Sequence, residues 1–321
     1  MKKNNILALA IVVALAIAVY YNRGRIHFNW SDFWLQLRYV SIGRVAAGLA
    51  LVYGTYWLRA WRWAVFLSPT KKVSPSRLVG SQFIGFTAVA IFGRLADLTR
   101  PYLLAKRVDL SISSQIAVYT IERMFDLGAA AIIFSSAMAF TPKGLPHHDL
   151  FVKVGLGSLA VTVAIAVFAI AVRVAGTAVA AFADKTLGLL SKPLGESFAA
   201  KLLGFRDGLN TLASFTEFVV VLLLSLAMWG MIGGAYYVTA HAFLHTPELA
   251  TLSFSRTMLL MAASIGGGLL TLPIIGWFTQ IAAMAAAMQA FYGAPIEAAT
   301  ACAALLLFVT TLGIVPPGLI F

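Results

Sequence analysis

Residues 114–140 read SQIAVYTIERMFDLGAAAIIFSSAMAF, an apolar run with ionisable side chains at its centre. As a helix rising about 1.5 Å per residue, the run is long enough to cross a ~30 Å hydrocarbon layer. Glu122 and Asp126 are four residues apart and share one helical face, with Tyr119 one turn before them and Arg123 beside them. Counted from Ser114, these residues fall about 12–18 Å along the helix, near mid-bilayer. An isolated ion there costs about 2.5–3.5 kcal/mol on insertion scales. Glu122, Arg123 and Asp126 therefore need partners from elsewhere in the chain.

The rest of the sequence has the same character. The 321 residues are 60% hydrophobic and 11% charged, with a mean hydropathy of +0.88, whereas a soluble domain carries roughly a quarter charged residues. Apolar runs predict full helical spans near 6–21, 40–58, 114–140, 152–172, 217–243 and 297–315. Weak alternation and abundant Ala, Leu and Gly argue against a membrane β-barrel. Two further stretches are short or interrupted: 78–92 contains Gly80 and Gly85, and 254–292 is broken by Gly266, Gly267, Gly268, Pro273 and Gly276. Such segments predict re-entrant or broken helical hairpins, whose freed backbone groups must be buried in protein or line a wet cavity. The predicted fold is all-α, a polytopic helical membrane protein in one domain over 1–321.

The net charge of +12 would suggest nucleic acid in a soluble protein. In a membrane protein it holds loops at the cytoplasmic face and meets anionic head groups. With the N-terminus inside, and with both hairpins returning to their starting side, most Lys and Arg fall on the cytoplasmic side. A single crossing at 78–92 would put Arg94, Arg100, Lys106 and Arg107 outside, against the usual bias. One hairpin then enters from each side, as in an inverted repeat around a midplane site. Met1-Lys2-Lys3 and the run from Ile6 read as an uncleaved first helix or as a signal peptide ending near Ala18; both start the chain inside. Residues 173–216 hold Arg173, Lys185, Lys192, Lys201 and Arg206, with Pro193 between two amphipathic helices expected on the cytoplasmic face. Cys302, the single cysteine, lies in an apolar run.

Partners for the central ions are available in residues 92–107, FGRLADLTRPYLLAKR. Arg94, Asp97 and Arg100 would sit at the first hairpin and form a buried polar network with Glu122, Arg123, Asp126 and Tyr119. Such a network pins the hairpin to the neighbouring helix, and an excess of cation would also receive an anionic head group or phosphate. In the second broken segment Gly267, Gly268, Pro273 and Gly276 would expose helix ends near mid-membrane. Free amides there bind phosphate, or the glycines serve close packing. Arg59 and Arg62, in Arg59-Ala-Trp-Arg-Trp63, read as an interfacial Arg/Trp anchor.

The Arg59-Ala-Trp-Arg-Trp segment, the Gly93-Arg-Leu-Ala-Asp-Leu-Thr-Arg-Pro-Tyr loop and the Ile121-Glu-Arg-Met-Phe-Asp-Leu helix resemble the transmembrane region of lysylphosphatidylglycerol synthases, over nearly the whole chain. That flippase-like family also has standalone bacterial members and archaeal relatives associated with dolichol glycolipids. The resemblance implies lipid movement across the cytoplasmic membrane, of cationic aminoacyl-phosphatidylglycerol in the synthase-linked members. Two departures stand out: Gln280 lies near a position where the late motif usually carries an acid, and no Arg occurs between Ala303 and Thr311. Both raise the chance of a different lipid.

The sequence carries no Walker loop, dinucleotide fingerprint, nucleophile elbow or His-Glu-x-x-His motif. His241 and His245 have ligand spacing without a third ligand and read as a helix end. The expected function is a flippase for a phospholipid, an aminoacylated lipid or an isoprenoid-linked lipid in the inner membrane. It needs no cofactor or metal, and the chain is not itself an enzyme. Its partners are membrane lipids with an anionic or zwitterionic head group, with a separate lipid-modifying enzyme where aminoacyl chemistry is involved, and no nucleic acid. The alternatives are a membrane-embedded transferase using a lipid-linked donor, and a scaffold for such an enzyme.

Overall fold

The computed structural model describes residues 28–141, 143, 148–189, 191–209, 214–268 and 275–321; the expected first span at 6–21 lies outside them. Among the described residues every regular element is helical: α1 Trp30–Arg38, α2 Ile42–Leu67, α3 Pro75–Phe92, a 3-10 turn Gly93–Ala96, α4 Thr99–Val108, α5 Ile112–Ala139, α6 His148–Gly188 and α7 Lys192–Leu209. The chain continues through α8 Phe215–Ala240, α9 Pro247–Ala250, α10 Phe254–Gly267, α11 Ile275–Tyr292, α12 Ile296–Thr310, a 3-10 turn Leu312–Ile314 and α13 Val315–Ile320.

Local signals set the boundaries. Ser111, Ser214 and Ser253 each accept a backbone N–H in the first turn of the helix they open, satisfying a donor the helix itself leaves free. Pro75 opens α3, where its missing N–H costs nothing. Between the arms of the first hairpin Gly93 takes φ +68° and ψ −163°, a conformation open only to glycine.

The long helices α2 and α8 form an antiparallel central pair. Gly48 meets Thr239, Gly54 meets Met231, and Arg62 Nη1 donates to Ser225 Oγ at 2.7 Å. Ser68 Oγ donates to Glu217 at 2.7 Å at one end, and Ser41 N donates to Ala242 O at 3.0 Å at the other. The glycines let the backbones approach closely, as small residues do between membrane helices.

Both hairpins return to the side they left. Lys71 Nζ, just before α3, donates to Val108 O at the end of α4 at 2.7 Å. Tyr292 Oη, at the end of α11, donates to Arg256 O at the start of α10 at 2.7 Å. The first hairpin opens beside the C-terminal end of α2 and the second beside the C-terminal end of α8. Because α2 and α8 are antiparallel, the two mouths face opposite ends of the bundle. The order long helix, hairpin, long helix occurs twice, as α2–α5 and as α8–α12. The contacts are reciprocal, α5 lying on α8 and α12 on α2. Each half has its own apolar core, one around Trp63, Leu78 and Leu104 and the other around Met258, Met284 and Leu306.

One boundary differs from the sequence reading. Helix α2 runs to Leu67 rather than ending near 58, because Arg59 and Arg62 are neutralised inside the protein. The segment after Arg173 holds two helices, since α6 breaks at a kink at Ala175 and the stretch from there to Gly188 is followed by α7. Val172, before the kink, and Ala180, after it, pack with Leu202 of α7. By length and apolarity His148–Val172, Phe215–Ala240 and Ile296–Ile320 are long enough to span a membrane, with a fourth span if α1 and α2, bent by 77°, are one. Helix α5, 28 residues long, has the length as well but carries the central ions. The stretch His148–Val172 is only 6% buried within the chain, as suits a helix whose solvent is lipid.

The inverted arrangement predicts opposite sidedness for the two mouths. In a Cys302→Ala background, Lys72→Cys and Leu244→Cys should be labelled by an impermeant maleimide from opposite faces of the membrane. Labelling of both from one face would refute the topology.

Candidate functional site

Helix α5 presents Glu122 and Asp126, 0% and 3% exposed, toward α2. The i, i+3 spacing of Arg59 and Arg62 on α2 matches this pair. Arg62, itself 0% exposed, bridges the two carboxylates: Nη2 donates to Glu122 Oε1 at 2.6 Å and Nη1 to Asp126 Oδ1 at 2.7 Å. From α4, Arg100 grips Glu122 with both ends of its fork, at 2.7 Å to Oε2 and 3.2 Å to Oε1. This is the geometry in which guanidinium and carboxylate pair most strongly.

Gly85 makes the reach of Arg100 feasible. A Cβ there would stand 2.9 Å from Arg100 Cβ and 3.1 Å from its Cα, so only glycine lets α3 and the first turn of α4 approach this closely. Aromatic faces supply the remaining surroundings. Phe86 lies between Arg59 and Arg100, at 4.7 and 4.6 Å, and Tyr119 lies 5.2 Å from Arg100 and 4.8 Å from Arg123. These are cation–π distances.

Two guanidiniums are held more loosely. Arg59 Nη1 is 3.5 Å from Asp126 Oδ2 and 3.9 Å from Glu122 Oε1. Arg123 Nη1 is 3.7 Å from Asp126 Oδ2, on a side chain 38% exposed. Arg59, Arg62, Arg100 and Arg123 thus surround Glu122 and Asp126, and even with Asp97 counted at the edge the described part of the cluster carries a surplus of positive charge. Arg59 also borders a cavity of about 230 Å³ between the two halves, lined further by Thr55, Tyr56, Phe86, Ile232 and Thr310.

The structure brings together Arg100, Glu122, Arg123, Asp126 and Tyr119, as the sequence predicts. Asp97 is half-buried and near enough to act electrostatically on Tyr119 and Arg123. The side chain of Arg94 lies outside the described residues, as does Pro273.

Arg59 and Arg62 are a correction. They are not interfacial anchors but 6% and 0% exposed partners of the central carboxylates. It is Trp57 and Trp61, 54% and 51% exposed, that face outward from this part of α2. The signal that could have found them is the surplus of buried acids on α5, for which α2 carries two arginines one turn apart.

In the second hairpin Gly267 serves close packing. A Cβ there would lie 2.7 Å from Thr279 O and 2.9 Å from Gln280 Cα, and its carbonyl accepts from Thr279 Oγ1 at 2.7 Å. Gly268 caps α10 and Gly276 lies buried in the first turn of α11. Gln280 is seated against Gly267 and Gly268 of the preceding arm, as Arg100 is seated against Gly85 in the first hairpin. Its neighbours are uncharged: Ser264 Oγ lies 3.4 Å from Gln280 Oε1, and Tyr236 faces Ser264 and Thr310.

Two opposed hairpins around an antiparallel pair, with a buried ion cluster at the tip of one, define a polytopic helical membrane protein built as an inverted repeat. The chain belongs to the lysylphosphatidylglycerol synthase TM region family, whose model matches residues 5–318. That membership points to a membrane function concerned with lipids. No curated protein matches the chain.

Breaking a buried pair leaves an uncompensated charge and costs about 3–5 kcal/mol. Arg62→Ala, which strands Glu122 and Asp126 together, should destabilise the detergent-solubilised protein by about that much. Arg123→Ala, at a half-exposed position, should cost about 1 kcal/mol or less. Thermal unfolding followed by size-exclusion chromatography measures both, and equal melting of the two variants would remove Arg62 from its central place.

Proposed function

We propose that the protein is a flippase that moves the head group of a lipid across the cytoplasmic membrane, with its N-terminus inside. The observation that carries this reading is the surplus of cation at the tip of the first hairpin, beside a cavity between two inverted halves. A lipid's tails cross nothing costly; its charged head group must leave water, and this sets the barrier. Guanidiniums already buried and already oriented by Glu122 and Asp126 offer a phosphate charge-assisted hydrogen bonds in place of its hydration shell.

The opposed mouths supply the second requirement, access from either side to one central site. The cluster binds and orients the head group and performs no bond chemistry on it. Turnover of a lipid-linked donor by the purified protein would favour the transferase reading instead.

The test is reconstitution in proteoliposomes with a fluorescent phospholipid and a membrane-impermeant quencher. Wild type should raise the rate of head-group crossing well above that of protein-free vesicles. Arg123→Gln, at the exposed edge of the cluster, should lower it roughly tenfold, about 1.4 kcal/mol in barrier. A wild-type rate equal to that of empty vesicles would overturn the proposal.

A further inference from the structure

The ion cluster is lopsided in a way that bears on which head groups it accepts. Among the described residues Glu122 and Asp126 are the carboxylates that pair with its guanidiniums, with Asp97 acting on Arg123 from its edge, and both paired carboxylates are saturated. Guanidinium nitrogens of Arg59, Arg62 and Arg100 lie within 3.9 Å of Glu122. Those of Arg59, Arg62 and Arg123 lie within 3.7 Å of Asp126. Neither carboxylate has an open side for an ammonium, and an ammonium brought there would meet the surplus of guanidinium charge.

The cavity beside the cluster has the same sign. Among the described residues Arg59 is the one charged side chain in its lining, and Thr55, Tyr56, Thr310 and Thr311 add hydroxyl groups. Arg59 is 6% exposed; its nearest carboxylate oxygen is 3.5 Å away, and its Nε has no hydrogen-bond partner among the described residues. A buried guanidinium with an idle donor, bordering a cavity, is built to take a further anion.

The second hairpin and the helix after it supply no counterweight. Gln280 packs against Gly267 and Gly268 as Arg100 packs against Gly85, and Glu297 is the only acidic residue between 254 and 321. Glu297 sits in the first turn of α12 and accepts from Asn29 N at 3.0 Å, at the far end of its helix from Thr310.

We propose that the Arg59 cavity takes the phosphate of a lipid whose head group is net anionic and rejects head groups made net cationic by an added amine. The inference rests on the flippase reading and narrows its substrate class: an anionic phosphoglycerol-type lipid fits, and an aminoacylated one does not. The cavity's hydroxyls suit the neutral, hydrogen-bonding part of such a head group.

The experiment compares fluorescent phosphatidylglycerol and lysyl-phosphatidylglycerol in proteoliposomes of otherwise zwitterionic lipid. Wild type should move phosphatidylglycerol at least tenfold faster, Arg59→Gln should erase that preference, and Arg59→Lys should restore part of it. Equal or faster movement of the lysyl lipid would overturn the specificity while leaving the flippase reading intact. If wild type moves neither lipid, the flippase reading fails and binding decides the specificity. Native mass spectrometry of the purified protein should then show phosphatidylglycerol retained over the lysyl lipid in wild type and not in Arg59→Gln. Equal retention of both by wild type would overturn the proposal.

Discussion

Glu122 and Asp126 lie where neither water nor head groups can solvate them, and the rest of the molecule is arranged around that fact. Each buried ion carries a desolvation cost of several kcal/mol, offset only by close, well-directed partners. Arg62 meets this by dividing its two terminal nitrogens between the carboxylates, at 2.6 and 2.7 Å. Once it does, α2 and α5 are fixed in rotation and in height, since a slip of one residue on either helix would carry a charge into hydrocarbon. Ser225, accepting from the same guanidinium at 2.7 Å, extends the constraint to α8. A polar cluster thus specifies the packing of helices whose apolar surfaces would pack in many registers equally well.

The hairpins follow from the same constraint. Arg100 reaches Glu122 only if α4 folds back on α3, and α4 comes close enough only because Gly85 has no side chain to intervene. The turn between the arms depends on Gly93 at φ +68°. In the second hairpin close approach is again made at a glycine, Gly267, but the residue opposite is Gln280. The two halves share an architecture of backbone and small residues while differing in charge, as expected if geometry is set by the close contacts and chemistry by the side chains placed upon them.

What could be read from the chain reflects how each feature is encoded. The i, i+4 acids inside an apolar run announce a buried pair, because periodicity and cost are both local properties. The hairpins are legible from glycine placement and from the side on which Arg100, Lys106 and Arg107 must lie. Arg59 and Arg62 are not, because arginines among tryptophans late in an apolar run have the composition of an interfacial anchor. Only the third dimension shows that Trp57 and Trp61 face outward while the arginines face inward. The kink at Ala175, with φ −123° and ψ 30°, stands beside Gly176 and close to where Arg173 ends the apolar run. Arg123 and Asp97 were visible as members of the cluster, whereas the loose hold on Arg59 is a matter of distances that no spacing encodes.

The charge asymmetry between the halves also separates them mechanically. Pulling Arg100 from Glu122 would leave two ions facing a low dielectric, where an unpaired charge is most costly. Between the arms of the second hairpin the polar contact is neutral: Ser264 and Gln280 are 3.4 Å apart, a hydrogen bond worth about 1 kcal/mol at most. The contact at Gly267, also between the two arms, is small and apolar apart from the Thr279 hydroxyl on its carbonyl. Of two hairpins with the same topology, α3–α4 is therefore pinned to the neighbouring helix by buried ions, whereas among the described residues no ion pair joins α10–α11 to the rest of the bundle. Freeing the first hairpin from its neighbour strands charge and freeing the second breaks no ion pair, so the asymmetry in charge between the halves is also an asymmetry in the cost of separating them.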